Sequence, residues 1–178
     1  MPETALLVID MLNSYDHDDA EPLAAGVERH LAEMVSLRDE AQRREDVLLV
    51  YVNDNYDRWD AGCEALVTRA MNGKRPELVE PIVPTGPVPF LPKGRHSAFY
   101  QTALGHLLSI EDVKRVVLTG QVTEQCILYT ALDAYLRGYD IVVPPDAVAY
   151  IHEDLAQAAL RMMQSNMQAE LRSAVDVF

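Results

Sequence analysis

The sequence predicts an α/β fold: a three-layer α/β/α domain around a doubly wound, mainly parallel sheet of about six strands. Three observations carry that expectation. The apolar runs are continuous rather than alternating, as in strands covered on both faces. Longer amphipathic segments separate them, and strand–helix–strand order implies right-handed crossovers. The 178 residues, with 49% apolar and 24% charged content, fit one folded domain spanning 1–178. A chain of that length buries roughly 70% of its extended surface.

The elements follow in order. Ala5-Leu6-Leu7-Val8-Ile9 is a strand closed by Asp10. Glu21 to Arg44 carries Leu23, Val27, Leu31, Met34 and Leu37 at helical spacing. Val47 to Val52 is a second strand, followed by Asn53-Asp54-Asn55. In Val88 to Pro92 the prolines confine a strand to a sheet edge or exclude it from the sheet. Val116 to Thr119 ends at Gly120, and Glu124 to Arg137 carries Ile127, Leu128, Ala131, Leu132 and Leu136 before a Gly138 stop. Tyr139 to Val143 closes on Pro144-Pro145, Glu153 to Met167 is another helix, and a last short strand falls near Glu170 to Ser173.

Composition excludes several classes of partner. The formal charge is −13, which argues against nucleic acid or an anionic membrane surface. Two widely spaced cysteines suit a reducing compartment better than a disulfide scaffold. No stretch reaches the ~18 consecutive apolar residues of a membrane helix, and the start of the chain lacks the basic region of a signal peptide. The expectation is a cytoplasmic protein with a small-molecule substrate. Phosphate-cradling glycine motifs are absent, which argues against nucleotide binding.

In doubly wound sheets the working residues sit at the carboxyl ends of strands. That rule selects Asp10, Lys93 and the Thr119-Gly120 corner. Thr123 suits an N-cap there, which would set Cys126 at the third helical position, near the positive end of the helix dipole. Lowering a thiol by two units from its ordinary ~8.5 requires about 2.7 kcal/mol. A helix terminus typically supplies 0.3–1 kcal/mol and at most about 2. A second cation or a base is therefore needed, and Lys93 and Asp10 are candidates for those two roles. On spacing alone the plainer readings stay open: a small buried thiol, a capping aspartate and a solvated lysine.

Three segments together resemble the isochorismatase-like cysteine hydrolases, which include nicotinamidases and N-carbamoylsarcosine amidases. They are Ala5 to Asn13, Lys93-Gly94-Arg95-His96-Ser97-Ala98-Phe99, and Val117 to Cys126. The similarity continues through Ala131 to Ala134 and Val142 to Ala147, in family order. The resemblance implies a Rossmann-like hydrolase in which Asp10 is general base and acid, Lys93 the charge partner and Cys126 the nucleophile. It implies a cis peptide at Gln121–Val122 and an oxyanion hole made by the Val122 and Cys126 N–H groups. The reaction it implies is C–N cleavage in a small amide, urea or carbamoyl compound through a thioester. Self-association into a homo-oligomer is implied as well. Vinyl ether hydrolysis, which does not need the thiol, and a binding or redox-sensing module without turnover are the alternatives.

The chain departs from the nicotinamidases in one respect. Their metal is held by an Asp and histidines after the second strand, but here Asn53 to Asp60 contains no histidine. His17, His30, His96, His106 and His152 do not pair at zinc-ligand spacing, so no metal and no cofactor are expected, and Asp54 reads as a solvated or hydrogen-bonding loop carboxylate. Asn13, Tyr15, Asn55, Tyr56, Trp59 and Phe99 are the amide and aromatic groups best placed to line a small pocket, with Trp59 suited to a lid or subunit contact. Cys63, in Ala61 to Ala65, reads as a structural helix thiol, and Asp16-His17-Asp18-Asp19 as helix capping rather than a calcium loop.

Overall fold

Every strand pairing in the sheet is parallel, and its order is set by which apolar run lies at the centre. A computed structural model describes residues 2–60 and 62–178, so Met1 and Ala61 (the first residue of the Ala61 to Ala65 stretch) lie outside the described residues. The strands are β1 (Thr4–Ile9), β2 (Val47–Asp54), β3 (Phe90–Lys93), β4 (Arg115–Gln121), β5 (Asp140–Val143), β6 (Val148–Ala149) and β7 (Glu170–Leu171). Their order is β3-β2-β1-β4-β5-β7, with β6 paired to β4. The chain leaves β1 in one direction and later returns to its other side, so the carboxyl ends of β1 and β4 form the switch point of the sheet. β3 is an edge strand, which tolerates Pro92.

The continuous runs are apolar because each face of the sheet has its own helical cover. Leu6, Val8, Leu49, Tyr51 and Val117 pack toward Leu23, Val27, Met34 and Leu37 of α1 (Ala20–Arg43). Ala5, Leu7, Ile9, Val50, Val52, Val116 and Leu118 pack on the other side. Their partners come from α3 (Leu104–Ile110), α4 (Leu128–Leu136) and α5 (Glu153–Met167). Successive strand residues thus point into different apolar layers. None of the described helices is long and apolar enough to cross a membrane.

Three local expectations are corrected. The helix expected from Glu124 begins instead as a π-helical turn, Thr123–Ile127, that leads into α4. Thr123 lies inside that turn and caps nothing; its hydroxyl donates to the Ala149 carbonyl at 2.9 Å, an acceptor that β6 brings alongside. Cys126 is accordingly the fourth residue of the turn. Asp19 precedes α1 without a side-chain capping bond, and Asp16 pairs with Lys74 at 2.7 Å. The helix expected at Cys63 is α2 (Cys63–Met71), whereas α3 was not anticipated, since seven residues hold too few turns for a periodic signal. Cys63 opens α2 as a half-buried free thiol.

Candidate active site

The site begins where β1 stops. Asp10 turns into the left-handed region at φ 56°, which aspartate tolerates, and its N–H still donates to Val52 O at 3.0 Å. The Gln121 side-chain amide donates to the Asp10 carbonyl at 2.6 Å. On the next strand, Asn53 holds Leu12 from both sides, accepting its N–H at 2.8 Å and donating to its carbonyl at 3.3 Å. Together these bonds fix the direction of the Asp10 side chain. Its Oδ1 accepts the Asp54 N–H at 2.7 Å, and its Oδ2 faces the Lys93 ammonium at 2.8 Å.

Lys93 ends β3 and is only 1% exposed. Its Nζ also lies 3.7 Å from Asp54 Oδ2 and 3.7 Å from Cys126 Sγ. A buried ammonium needs such company, because an uncompensated charge in a protein interior loses several kcal/mol of hydration. Cys126 is 9% exposed on the floor of a cavity of about 450 Å³ whose lining includes Asp10, Asp54, Gln121, Val122 and Gln125. Asp10, Lys93 and Cys126 therefore meet, although they follow three different strands.

The electrostatics of the group correct one expectation. Burial, then the charge of Asp10, push the Cys126 thiol well above its ordinary range, and Lys93 opposes them without prevailing. Burial likewise raises Asp10 despite the pull of Lys93. For Lys93, burial works downward, but Asp10, Cys126 and Asp54 together raise it. Burial thus biases the Cys126 thiol toward its protonated form beside the Lys93 ammonium. Sequence arithmetic counted the dipole and the lysine but not desolvation, which depends on what surrounds the sulfur.

Of the six residues expected to line the pocket, Asn13 and Tyr56 do. The other four do not. Tyr15 is 1% exposed and donates its hydroxyl to Gln121 Oε1 at 3.4 Å, beneath the site. Asn55 is buried, its N–H on Lys93 O and its Oδ1 accepting the Asp57 N–H. Phe99 packs in the helical layer, stacked on Tyr139 with centroids 5.9 Å apart. Trp59 is 79% exposed and lies over Gly94 outside the lining, where a β-carbon on Gly94 would come within 3.0 Å of the indole. Loop membership is visible in a sequence, but the side of the loop a residue faces is not.

Sequence reading missed two contributors. Asp54 is a second carboxylate at Lys93 as well as the hydrogen-bonding loop residue expected, its Oδ1 accepting the Tyr56 N–H at 2.7 Å. Gln121 joins the Asp10 carbonyl to the Tyr15 hydroxyl. Register carries the missing signal, because Asp54 stands directly opposite Lys93 in the β2–β3 pair. The Gln121–Val122 peptide is cis. The residues do not fit a metal: among the described residues no three His, Cys, Asp or Glu side chains gather into a possible metal site. Asn53 and Asn55, which flank Asp54, spend their side chains on Leu12, Asp54 and Asp57.

The chain is a doubly wound α/β protein with a buried Asp–Lys–Cys cluster at the switch point of its sheet. The chain belongs to the isochorismatase family, whose domain model matches residues 4–176. It is 35% identical over 169 residues to YaaI, an isochorismatase family protein of Bacillus subtilis, covering 95% of this chain and 93% of that one. It is 32% identical over 164 residues to maleamate amidohydrolase of Pseudomonas putida, covering 88% of this chain and 76% of that protein. The structure of N-carbamoylsarcosine amidase from Thermoplasma acidophilum superposes with a TM-score of 0.73 at 26% identity, over 99% of both chains. The protein is a hydrolase of this family, with amidases among its relatives.

Proposed function

We propose that the protein hydrolyses a C–N bond in a small amide, urea or carbamoyl compound through a thioester on Cys126. The observation that carries the reading is the position of the Lys93 ammonium, at once 2.8 Å from the Asp10 carboxylate and 3.7 Å from the Cys126 sulfur, beneath a cavity. The relatives named as maleamate amidohydrolase and N-carbamoylsarcosine amidase support amide chemistry over the alternatives.

As the sulfur attacks the carbonyl carbon, its proton passes to Asp10. This transfer is coupled to attack because the resting thiol holds its proton firmly. Lys93 keeps its charge beside both groups throughout. The carbonyl oxygen, now carrying negative charge, is received by the N–H groups of Val122 and Cys126. The Val122 carbonyl accepts from Gln125 and Ile127, at 3.0 and 3.1 Å, and is not paired with the Cys126 N–H between them. Asp10 returns the proton to the departing nitrogen, leaving a thioester and a free amine. Asp10 then takes a proton from water as the water attacks the thioester, and the released sulfur recovers that proton.

The test is a panel of amides, ureas and carbamoyl amines with ammonia detection, followed by acid quench and intact-mass measurement. An acyl adduct on Cys126 is expected, and Cys126→Ala should abolish turnover while leaving the thermal midpoint nearly unchanged. Turnover retained in Cys126→Ala would refute the covalent route.

A further inference from the structure

Two guanidinium groups line the same cavity and neither enters the chemistry above: Arg69 of α2 and Arg95, just beyond Lys93. Arg69 lies over Tyr56, its Cζ 4.2 Å from the ring centroid. The platform is itself immobile, for the Tyr56 hydroxyl donates to Leu12 O at 2.9 Å and its N–H to Asp54 Oδ1 at 2.7 Å. A cation–π contact consumes none of the guanidinium N–H donors, so they remain available to a ligand.

The acids nearby are largely committed elsewhere. Asp10 and Asp54 face Lys93, and Asp16 is taken by Lys74. Asp19 and Asp57 stand exposed at the rim, where water and salt screen them. Among the described residues, Arg69 and Arg95 have neither an ion pair nor a side-chain hydrogen bond, unlike Arg38, Arg44 and Arg75. An oriented, unpaired guanidinium inside a catalytic cavity matches a carboxylate, which it binds through two parallel N–H···O bonds.

We propose that Arg69, assisted by Arg95, is the specificity-determining anion subsite, so that the compound hydrolysed is a small acid amide carrying one free carboxylate. This rests on the amide-hydrolase reading of the same site. The cavity of about 450 Å³ admits such a molecule with the amide over Cys126 and the carboxylate toward α2. A doubly charged phosphate is disfavoured, since the two guanidiniums share the cavity with five aspartates.

The experiment compares succinamate with succinamide, which differ only in replacing the carboxylate by a neutral amide. Calorimetric binding to the Cys126→Ala protein should favour succinamate about ten- to hundredfold, the span expected of a charge-assisted bond. Arg69→Gln in that background should remove the preference and leave succinamide binding unmoved. Equal binding of the two probes, a preference that survives Arg69→Gln, or no binding of succinamate at millimolar concentration overturns the proposal. Ammonia release by the unmutated protein separates the two readings. Neutral amides cleaved as fast as acid amides would sink the subsite and leave the amidase reading standing. Selective, Arg69-dependent binding without ammonia from either probe would sink the amidase reading alone. Arg69 is only half-buried, so thermal midpoints should confirm that the variant folds.

Discussion

Lys93 sets the behaviour of the site at the scale of single residues. Its ammonium faces both Asp10 and the Cys126 sulfur, so in the proposed mechanism it stabilises the carboxylate and the developing thiolate, and its burial keeps water from substituting for it. Lys93→Met should abolish turnover and destabilise the fold by about 3–5 kcal/mol at neutral pH, because two carboxylates lose their partner. The sign of the pH response follows from Asp10. With the cation gone its already raised pKa climbs further, so between the ordinary and folded values the folded state holds more protons than the unfolded state. Urea unfolding of this variant should therefore show greater stability at pH 5 than at pH 7, relative to the unmutated protein; no gain on acidification would show that Asp10 is not the ionised partner. Asp10→Asn should lower turnover by about 10²–10⁴-fold, the range of a general acid–base group. Iodoacetamide labelling of Cys126 should keep accelerating past pH 9 instead of levelling near 8.5, since the free thiol is shifted upward.

At the scale of elements, the alignment of β1 with β4 brings Asp10 and Cys126 to one rim. Ile9 is paired with Gly120, where φ is +113° and a β-carbon would lie 2.1 Å from the Ile9 carbonyl oxygen. Glycine alone permits this approach. Gly120→Ala should destabilise by about 3 kcal/mol or more through combined clash and positive φ, read by urea unfolding, and should lose activity even where it still folds. The main strands and helices were legible because an apolar run of five or six residues, or a stripe along a long helix, reports its own burial. The π-turn was not, since Thr123 chose the Ala149 carbonyl over a capping role only after β6 arrived beside β4. Nor was the double role of Asp54, which depends on its register against Lys93.

For the whole molecule, several buried groups retain protons that an unfolded chain would release in base. Burial raises Cys126, Tyr15 and Tyr56, and Asp10 leads the groups that raise Lys93 against its burial. Their ordinary values are roughly 8.5 for cysteine, 10 for tyrosine and 10.4 for lysine. Above each of these the unfolded state binds fewer protons than the folded one, so stability falls as pH rises. The thermal midpoint should hold to about pH 8.5 and decline beyond it, and the decline between about pH 8.5 and 10 should be shallower in Cys126→Ala, where only the half-buried Cys63 thiol, also raised by burial, still titrates in that range. An identical slope in both proteins over that range would show that the Cys126 thiol contributes nothing to alkaline unfolding.

Residue order alone determined the layered parallel sheet, the strand-end positions of Asp10 and Lys93, and the family to which the three motifs point. Hydrophobic burial is roughly proportional to apolar area, so a pattern of side chains is enough to foretell it. Which loop residues face the cavity, how firmly Cys126 holds its proton, and that Asp54 joins Lys93 were decided only in three dimensions. Those properties depend on distance and on the exclusion of water, and charges separated by dozens of residues acquire both only when the sheet closes around them.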